Sequence, residues 1–354
     1  MNKLKLSFSA LILLLPAAIC AQESNSQALH MCLDGDPLPR HAEGQQSILA
    51  GCSYIIDAGD KFSPGSVTNA YLRRASAQLA AHNYELAIED YNELIDRVPN
   101  ESRVYRYRGI AWSNLNQHSK AIRDYGRALK LSPDDAQAWY LRGFAFSRKD
   151  KHQRAIKDYS RAITLMPEFM SAYNYRGHSY VILQDCDKAI EDFDKTIALK
   201  PDHALAYADR AECHDIRGHE QEALADYASA LALAPDNPDM HNFVCWAKAL
   251  AGDGEAAMPH CNQAITMAPE IPEFYDSRAL AWYRLGEYDN ALADEERSMR
   301  EPSWENHALR AAIYFQAGEL KTAKKDYKKA RKLQRDRKQL QKRFSQLGID
   351  PADF

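Results

Sequence analysis

The side chains best suited to covalent or metal chemistry in this chain are its cysteines, and they fall into pairs. Cys245 and Cys261 stand 16 residues apart, His241 lies one helical turn before the first, and His260 adjoins the second. Two thiols and two imidazoles could hold a tetrahedral metal ion, or the thiols could join. Neighbouring residues diverge around a helix, so a disulfide is the first expectation, with free buried thiols, a metal site or a redox-active pair as alternatives. Cys186 and Cys213 form a second candidate pair, and Cys32 and Cys52 a third. The remaining cysteine, Cys20, lies in an apolar N-terminal stretch. An even number beyond it makes disulfides the default in an oxidising compartment.

Catalytic patterns are missing. His219-Glu220 begins like a zinc-peptidase motif, but Ala223 stands where the second histidine belongs. No Gly-x-Ser-x-Gly, phosphate-binding glycine loop or Cys-x-x-Cys occurs. No catalytic residue, cofactor or metal is therefore expected.

The elements that must position these residues are marked by prolines. Pro99, Pro133, Pro167, Pro201, Pro235 and Pro269 recur at one fixed interval, and each would stop a helix. Well before each comes an alanine at a constant offset, Ala87, Ala121, Ala155, Ala189, Ala223 or Ala257, and the series continues at Ala291 and Ala323. One turn later comes Tyr91, Tyr125, Tyr159, Phe193 or Tyr227. An earlier helix carries Tyr71, Tyr105, Trp139, Tyr173, Tyr207 and Tyr275, each followed one turn on by Ala75, Gly109, Gly143, Gly177, Ala211 or Ala279. Residues without bulk there let two helices approach closely. Cys245 and Cys261 occupy the small and aromatic slots of the sixth unit, so a bridge would replace its missing packing.

An arginine also precedes an aspartate by 16 residues in seven units: Arg74/Asp90, Arg108/Asp124, Arg142/Asp158, Arg176/Asp192, Arg210/Asp226, Arg278/Asp294 and Arg310/Asp326. Both partners are lost together in the sixth unit, at Val244 and His260. Antiparallel helices joined by a short turn would place such positions opposite one another, which predicts an Arg–Asp bridge in every unit but the sixth.

The repeated slots, and a proline interval of about 34 residues, resemble the tetratricopeptide consensus. The resemblance implies an all-α, right-handed solenoid of eight helix hairpins over 68–101, 102–135, 136–169, 170–203, 204–237, 238–271, 272–303 and 304–333. A cysteine-containing cap with a half-repeat helix would precede it at 22–67, and a basic capping helix and tail would follow at 334–354. Similarity to exported bacterial tetratricopeptide proteins with paired cysteines before the array supports a Cys32–Cys52 bridge. Such solenoids bind peptides or partner segments in a groove lined by their first helices. Side chains there, away from the core series, are Arg103, Arg106, Tyr140, Phe144, Arg148, Asn174, His178, Ile182, Glu212, Trp246, Asp276, Leu280 and Tyr283. Domains of this kind that hold chaperone C-termini use Lys and Asn; Leu72 and Ser76 stand at the matching positions of the first unit, so that activity is not carried over.

Residues 1–21 have the layout of a secretory signal, with Lys3 and Lys5, an apolar run from Leu6 to Leu15, Pro16 and small residues to Ala21. Export is expected, with the periplasm first and secretion or lipid anchoring at Cys20 as alternatives. A net charge of −4 does not argue for nucleic acid. From Lys321 to Arg343, however, twelve Lys or Arg stand against Asp326 and Asp336. The expected form is a final helix whose stripe of Leu333, Leu340, Phe344 and Leu347 caps the array. The other reading of its charge is contact with anionic membrane or cell wall. The combined expectation is a non-catalytic scaffold binding protein partners, with envelope-surface binding or a metal or redox role of the sixth unit as rivals, and with oligomeric state left open.

Overall fold

A computed structural model describes residues 28–33, 42–298 and 303–354; the expected secretory signal and Cys20 lie outside them. All regular structure among the described residues is helical. Helix α1 (28–33) and α2 (Ala42–Asp57) precede the hairpins α3/α4 (Pro64–Ala80, Tyr84–Arg97), α5/α6 (Ser102–Asn114, His118–Leu131) and α7/α8 (Ala136–Ser147, His152–Leu165). Then come α9/α10 (Met170–Ile182, Cys186–Leu199), α11/α12 (Ala204–Arg217, Glu220–Leu233) and α13/α14 (Pro238–Leu250, Gly254–Met267). The pairs α15/α16 (Pro272–Arg284, Tyr288–Ser298) and α17/α18 (Trp304–Gln316, Leu320–Leu333) and a last helix, α19 (Arg337–Gln346), complete the chain. Two compact units divide within α9: residues 1–172 and 173–354. No helix among the described residues is long and apolar enough to cross a membrane.

Each hairpin turns on one residue with positive φ: His82, Asn116, Asp150, Gln184, Gly218, Gly252, Gly286 and Gly318. The next N–H reaches back to the last turn of the helix, as from Gln117 to Trp112 O and from Glu287 to Trp282 O. This left-handed cap satisfies carbonyls that the helix end leaves open.

The alanine series from Ala87 to Ala323 is completely buried, as are Tyr91, Tyr125, Tyr159 and Phe193. The pairing of small and aromatic slots is a close fit. A Cβ on Gly109 would lie 2.6 Å from the Tyr125 ring, and one on Gly143 would lie 2.8 Å from Tyr159. All seven Arg–Asp bridges form. Arg142 Nε and Nη2 donate to Asp158 Oδ2 and Oδ1 at 2.7 and 2.9 Å, and the other six repeat this two-point contact. The aspartates are buried, and such bidentate, charge-assisted bonds are the strong ones.

Two further regularities were not read from the sequence. Arg108, Arg210 and Arg278 use Nη1 to reach Asn92, Asp194 and Asn262, 16 residues earlier, so one guanidinium ties its hairpin to the helix before it. Three of the aromatic residues that open the first-helix series donate to the carbonyl of the preceding proline, Tyr105 to Pro99 O, Trp139 to Pro133 O and Tyr275 to Pro269 O, each at 2.9 Å.

At the N-terminus Cys32 is joined to Cys52, tying α1 to α2 over a cluster with Ile48, Ile55, Val67 and Ala70. Helix α2 packs on α3 as a second helix would, and its Ser53 accepts from Arg74. The second bridge is Cys245–Cys261, with Cα atoms 5.0 Å apart, between the small and aromatic slots of the sixth hairpin.

Cys186 and Cys213 correct the expectation of a third bridge: both are buried thiols. They share an apolar cluster with Ala189 and Phe193. Burial, together with a hydrogen bond to Cys186, pushes the Cys213 thiol up, disfavouring the thiolate that disulfide exchange requires.

Candidate protein-binding faces

In the first unit the described residues leave the first-helix face open. A cavity of about 440 Å³ lies between α3 and α5, bordered by Leu72, Ser76, Arg103, Val104 and Tyr107. Arg103 is exposed and pairs with Glu101 at 2.9 Å. Arg106 lies 3.0 Å from Asp135 and donates to Gln137, so it is held across two hairpins. Tyr140 packs its ring 4.9 Å from that of Phe169, Phe144 is half-buried, and Arg148 is exposed.

In the second unit the expected residues divide. Ile182 and Glu212 are exposed, and His178 Nε2 sits 3.1 Å from Asp209 Oδ2. Burial works against the His178 cation, but the hydrogen bond and charge of Asp209 outweigh it and raise its pKa. Asn174, Leu280 and Tyr283 correct the expectation of groove exposure, because all three are buried. For Leu280 and Tyr283 the cause is α19 and the residues after it. Tyr283 OH donates to Leu347 O, and Leu280 shares one core cluster with Leu340, Phe344 and Leu347.

The last helix therefore lies along the first-helix face of its own unit. Lys342 Nζ donates to Ile216 O at 2.8 Å, Arg284 donates to Gln346 O, and the Arg343 guanidinium sits 4.7 Å over the Trp246 ring. Phe344 and Phe354 pack on Tyr327, the latter stacked at 4.7 Å. The expected stripe is corrected at one position. Leu333 is 55% exposed at the end of α18, because the chain breaks helix at 334–336 and Asp336 caps a new one through Lys338 and Gln339 N–H.

Arg343 is 5% exposed; burial, and the nearby Arg284 charge, lower its pKa, against the opposing charges of Asp276, Glu305 and Glu295. Glu295 occupies the slot that holds Tyr91 or Tyr125 elsewhere, and it is completely buried. Burial, and then Asp276, push its pKa well upward. A carboxyl in an aromatic slot was the available sequence signal for this centre. Beside α19 a cavity of about 570 Å³ remains, lined by Glu212, Asp215, Tyr227, Trp246 and Trp304 among others. Burial raises Asp215 to about 6, with Tyr227 OH donating to its Oδ2.

In the sixth hairpin the Cys245 and Cys261 sulfurs bond to each other, so neither is a thiolate ligand while the bridge stands. His241 and His260 place Nδ1 atoms 3.5 Å apart, and His241 Nε2 contacts Pro235 O. No group of three or more His, Cys, Asp or Glu among the described residues is arranged to hold a metal.

Models of the tetratricopeptide repeat match residues 72–113, 114–150, 136–169 and 176–238. No curated protein matches the chain. Among solved structures, a tetratricopeptide repeat protein from Parabacteroides merdae is 19% identical, with TM-score 0.57 over 73% of this chain and 99% of its own. Cut9–Hcn1, an APC/C hetero-tetramer, gives 16% identity and TM-score 0.56 over 92% of this chain and 62% of that one. MamA is 27% identical over 48% of this chain and 92% of its own, with TM-score 0.46. Repeat models over 72–169 and 176–238, the slot pattern and the hairpin stacking agree: the chain carries tetratricopeptide repeats.

Proposed function

We propose that this protein is an exported, non-catalytic scaffold whose first-helix faces hold segments of protein partners, those that assemble the cell envelope being the first class to test. The observation that carries the proposal is the first-helix face of the first unit, which the described residues leave uncovered. There a cavity of about 440 Å³ opens beside exposed Arg103 and the half-buried Tyr107 ring. Arginine and aromatic side chains are the usual anchors of binding energy. Two disulfides support export to an oxidising compartment, with the periplasm first.

Affinity capture from cross-linked source cells tests this reading, comparing the wild-type chain with an Arg103→Glu, Phe144→Ala variant. A partner recovered by the wild type and lost from the variant is expected. Equal recovery would move the site away from this face.

A second reading is favoured by one observation. Lys321, Lys324, Lys325, Lys328 and Lys332 of α18 are all exposed, a local field that would attract anionic lipid or cell-wall polymer. Salt-sensitive sedimentation with envelopes, abolished by changing these lysines to glutamine, would support it; sedimentation unaffected by salt would not.

A further inference from the structure

We propose that the first-helix face of the second unit is a receptor for a basic amphipathic helix bearing a buried arginine, and that α19 is the resident ligand which a partner helix displaces. This rests on the scaffold reading above and names the class of segment that the face accepts.

The receptor sets carboxyl groups and an aromatic ring against one buried arginine, and these oppose the burial that on balance lowers its pKa. Glu295 stands where other repeats bury an aromatic ring, and Asp276 and Glu305 join it around Arg343, whose guanidinium lies over Trp246. A plain capping helix would need none of this, since apolar side chains cover a repeat end without taking charges from water. The rest of the grip falls on main chain: Tyr283 and Arg284 bind Leu347 O and Gln346 O. Contacts of that kind depend on where a helix ends and little on its sequence.

The resident helix fits imperfectly. Arg343 Nε and Nη2 have no hydrogen-bond partner among the described residues, nor does Glu295 Oε1. The cavity of about 570 Å³ beside α19 is also left open, with Glu212 and Asp215 on its wall. A partner helix with a better placed basic group would satisfy Glu295 Oε1 and fill the space that α19 leaves beside it.

The probe is a fluorescent peptide with the sequence of residues 337–354, added to the full-length wild type and to a full-length Arg343→Glu, Phe344→Ala variant. Both substitutions lie in the ligand and leave the receptor residues intact. The variant is expected to bind the peptide at least tenfold more tightly than the wild type does. Changing Arg343 to glutamate within the peptide should abolish that binding. No binding by a variant whose helicity and elution match the wild type would overturn the proposal, as would a variant that binds no peptide but pairs with a second copy. If the variant misfolds, hydrogen exchange on the wild type decides. Excess peptide should expose α19 amides while those of α11 and α15 stay protected, and unchanged α19 protection would overturn the proposal. Failure here would leave partner capture by Arg103 and Phe144 untouched, so the two readings fail separately.

Discussion

At the scale of single residues, the paired Arg and Asp side chains carry the sharpest energetic consequence. Asp158 is buried and receives two hydrogen bonds from Arg142. Removing the arginine alone leaves a buried carboxylate without its cation, which costs about 3 kcal/mol. Arg142→Ala should therefore destabilise the chain by about that amount. In a double-mutant cycle with Asp158→Ala, measured by denaturant unfolding, the coupling should exceed about 1 kcal/mol. Additive losses would reduce the bridge to two independent surface preferences. Asp215 makes a different prediction, because burial raises its pKa to about 6, above the roughly 3.9 of an unfolded aspartate. The native state then binds the extra proton between those values. Its contribution is full below about pH 4 and is lost as pH rises through 6. Asp215→Asn should raise the melting temperature at pH 8 and leave it nearly unchanged at pH 4. A shift of equal size at both pH values would remove Asp215 as the titrating group.

At the scale of elements, a typical hairpin is two helices held by a small-to-aromatic contact, a left-handed cap and an Arg–Asp clasp; the seventh puts Glu295 in the aromatic slot, and the sixth replaces contact and clasp with a disulfide. Closing a loop of this size contributes about 3 kcal/mol. The Cys245→Ala, Cys261→Ala chain should lose roughly that much on chemical unfolding, and an unchanged midpoint would show that the bridge adds little. Cys186 and Cys213 should resist alkylation in the native protein and react once it is unfolded, as judged by peptide mass spectrometry. Alkylation under native conditions would show that their cluster opens. Hairpins and clasps were legible in the sequence because every relevant spacing is local and recurs from unit to unit. The position of α19 was not, because its contacts join residues far apart in the chain, as the 64-residue separation of Tyr283 from Leu347 shows. Arg343 was also hidden in a run of other basic residues. Glu295 in the aromatic series was the one visible sign of where that run goes.

For the whole molecule, the two units present their first-helix faces in different states. Among the described residues that of the first unit is open beside Arg103, whereas that of the second is partly covered by its own chain from Lys342 to Leu347. Groove residues were therefore legible as positions, but their availability was not. Trp246, Asp276, Leu280 and Tyr283 occupy the slots expected of binding residues, and the protein uses them on itself. Second helices turn other side chains to solvent, such as Glu89 on α4. The scaffold account requires that a partner touch the first helices and spare the second. The most direct measurement is photo-cross-linking in source cells from a reactive amino acid placed at Ser76, at Arg103, or at Glu89. The account predicts one partner adduct from Ser76 and Arg103 and none from Glu89; an adduct from Glu89 alone would contradict it.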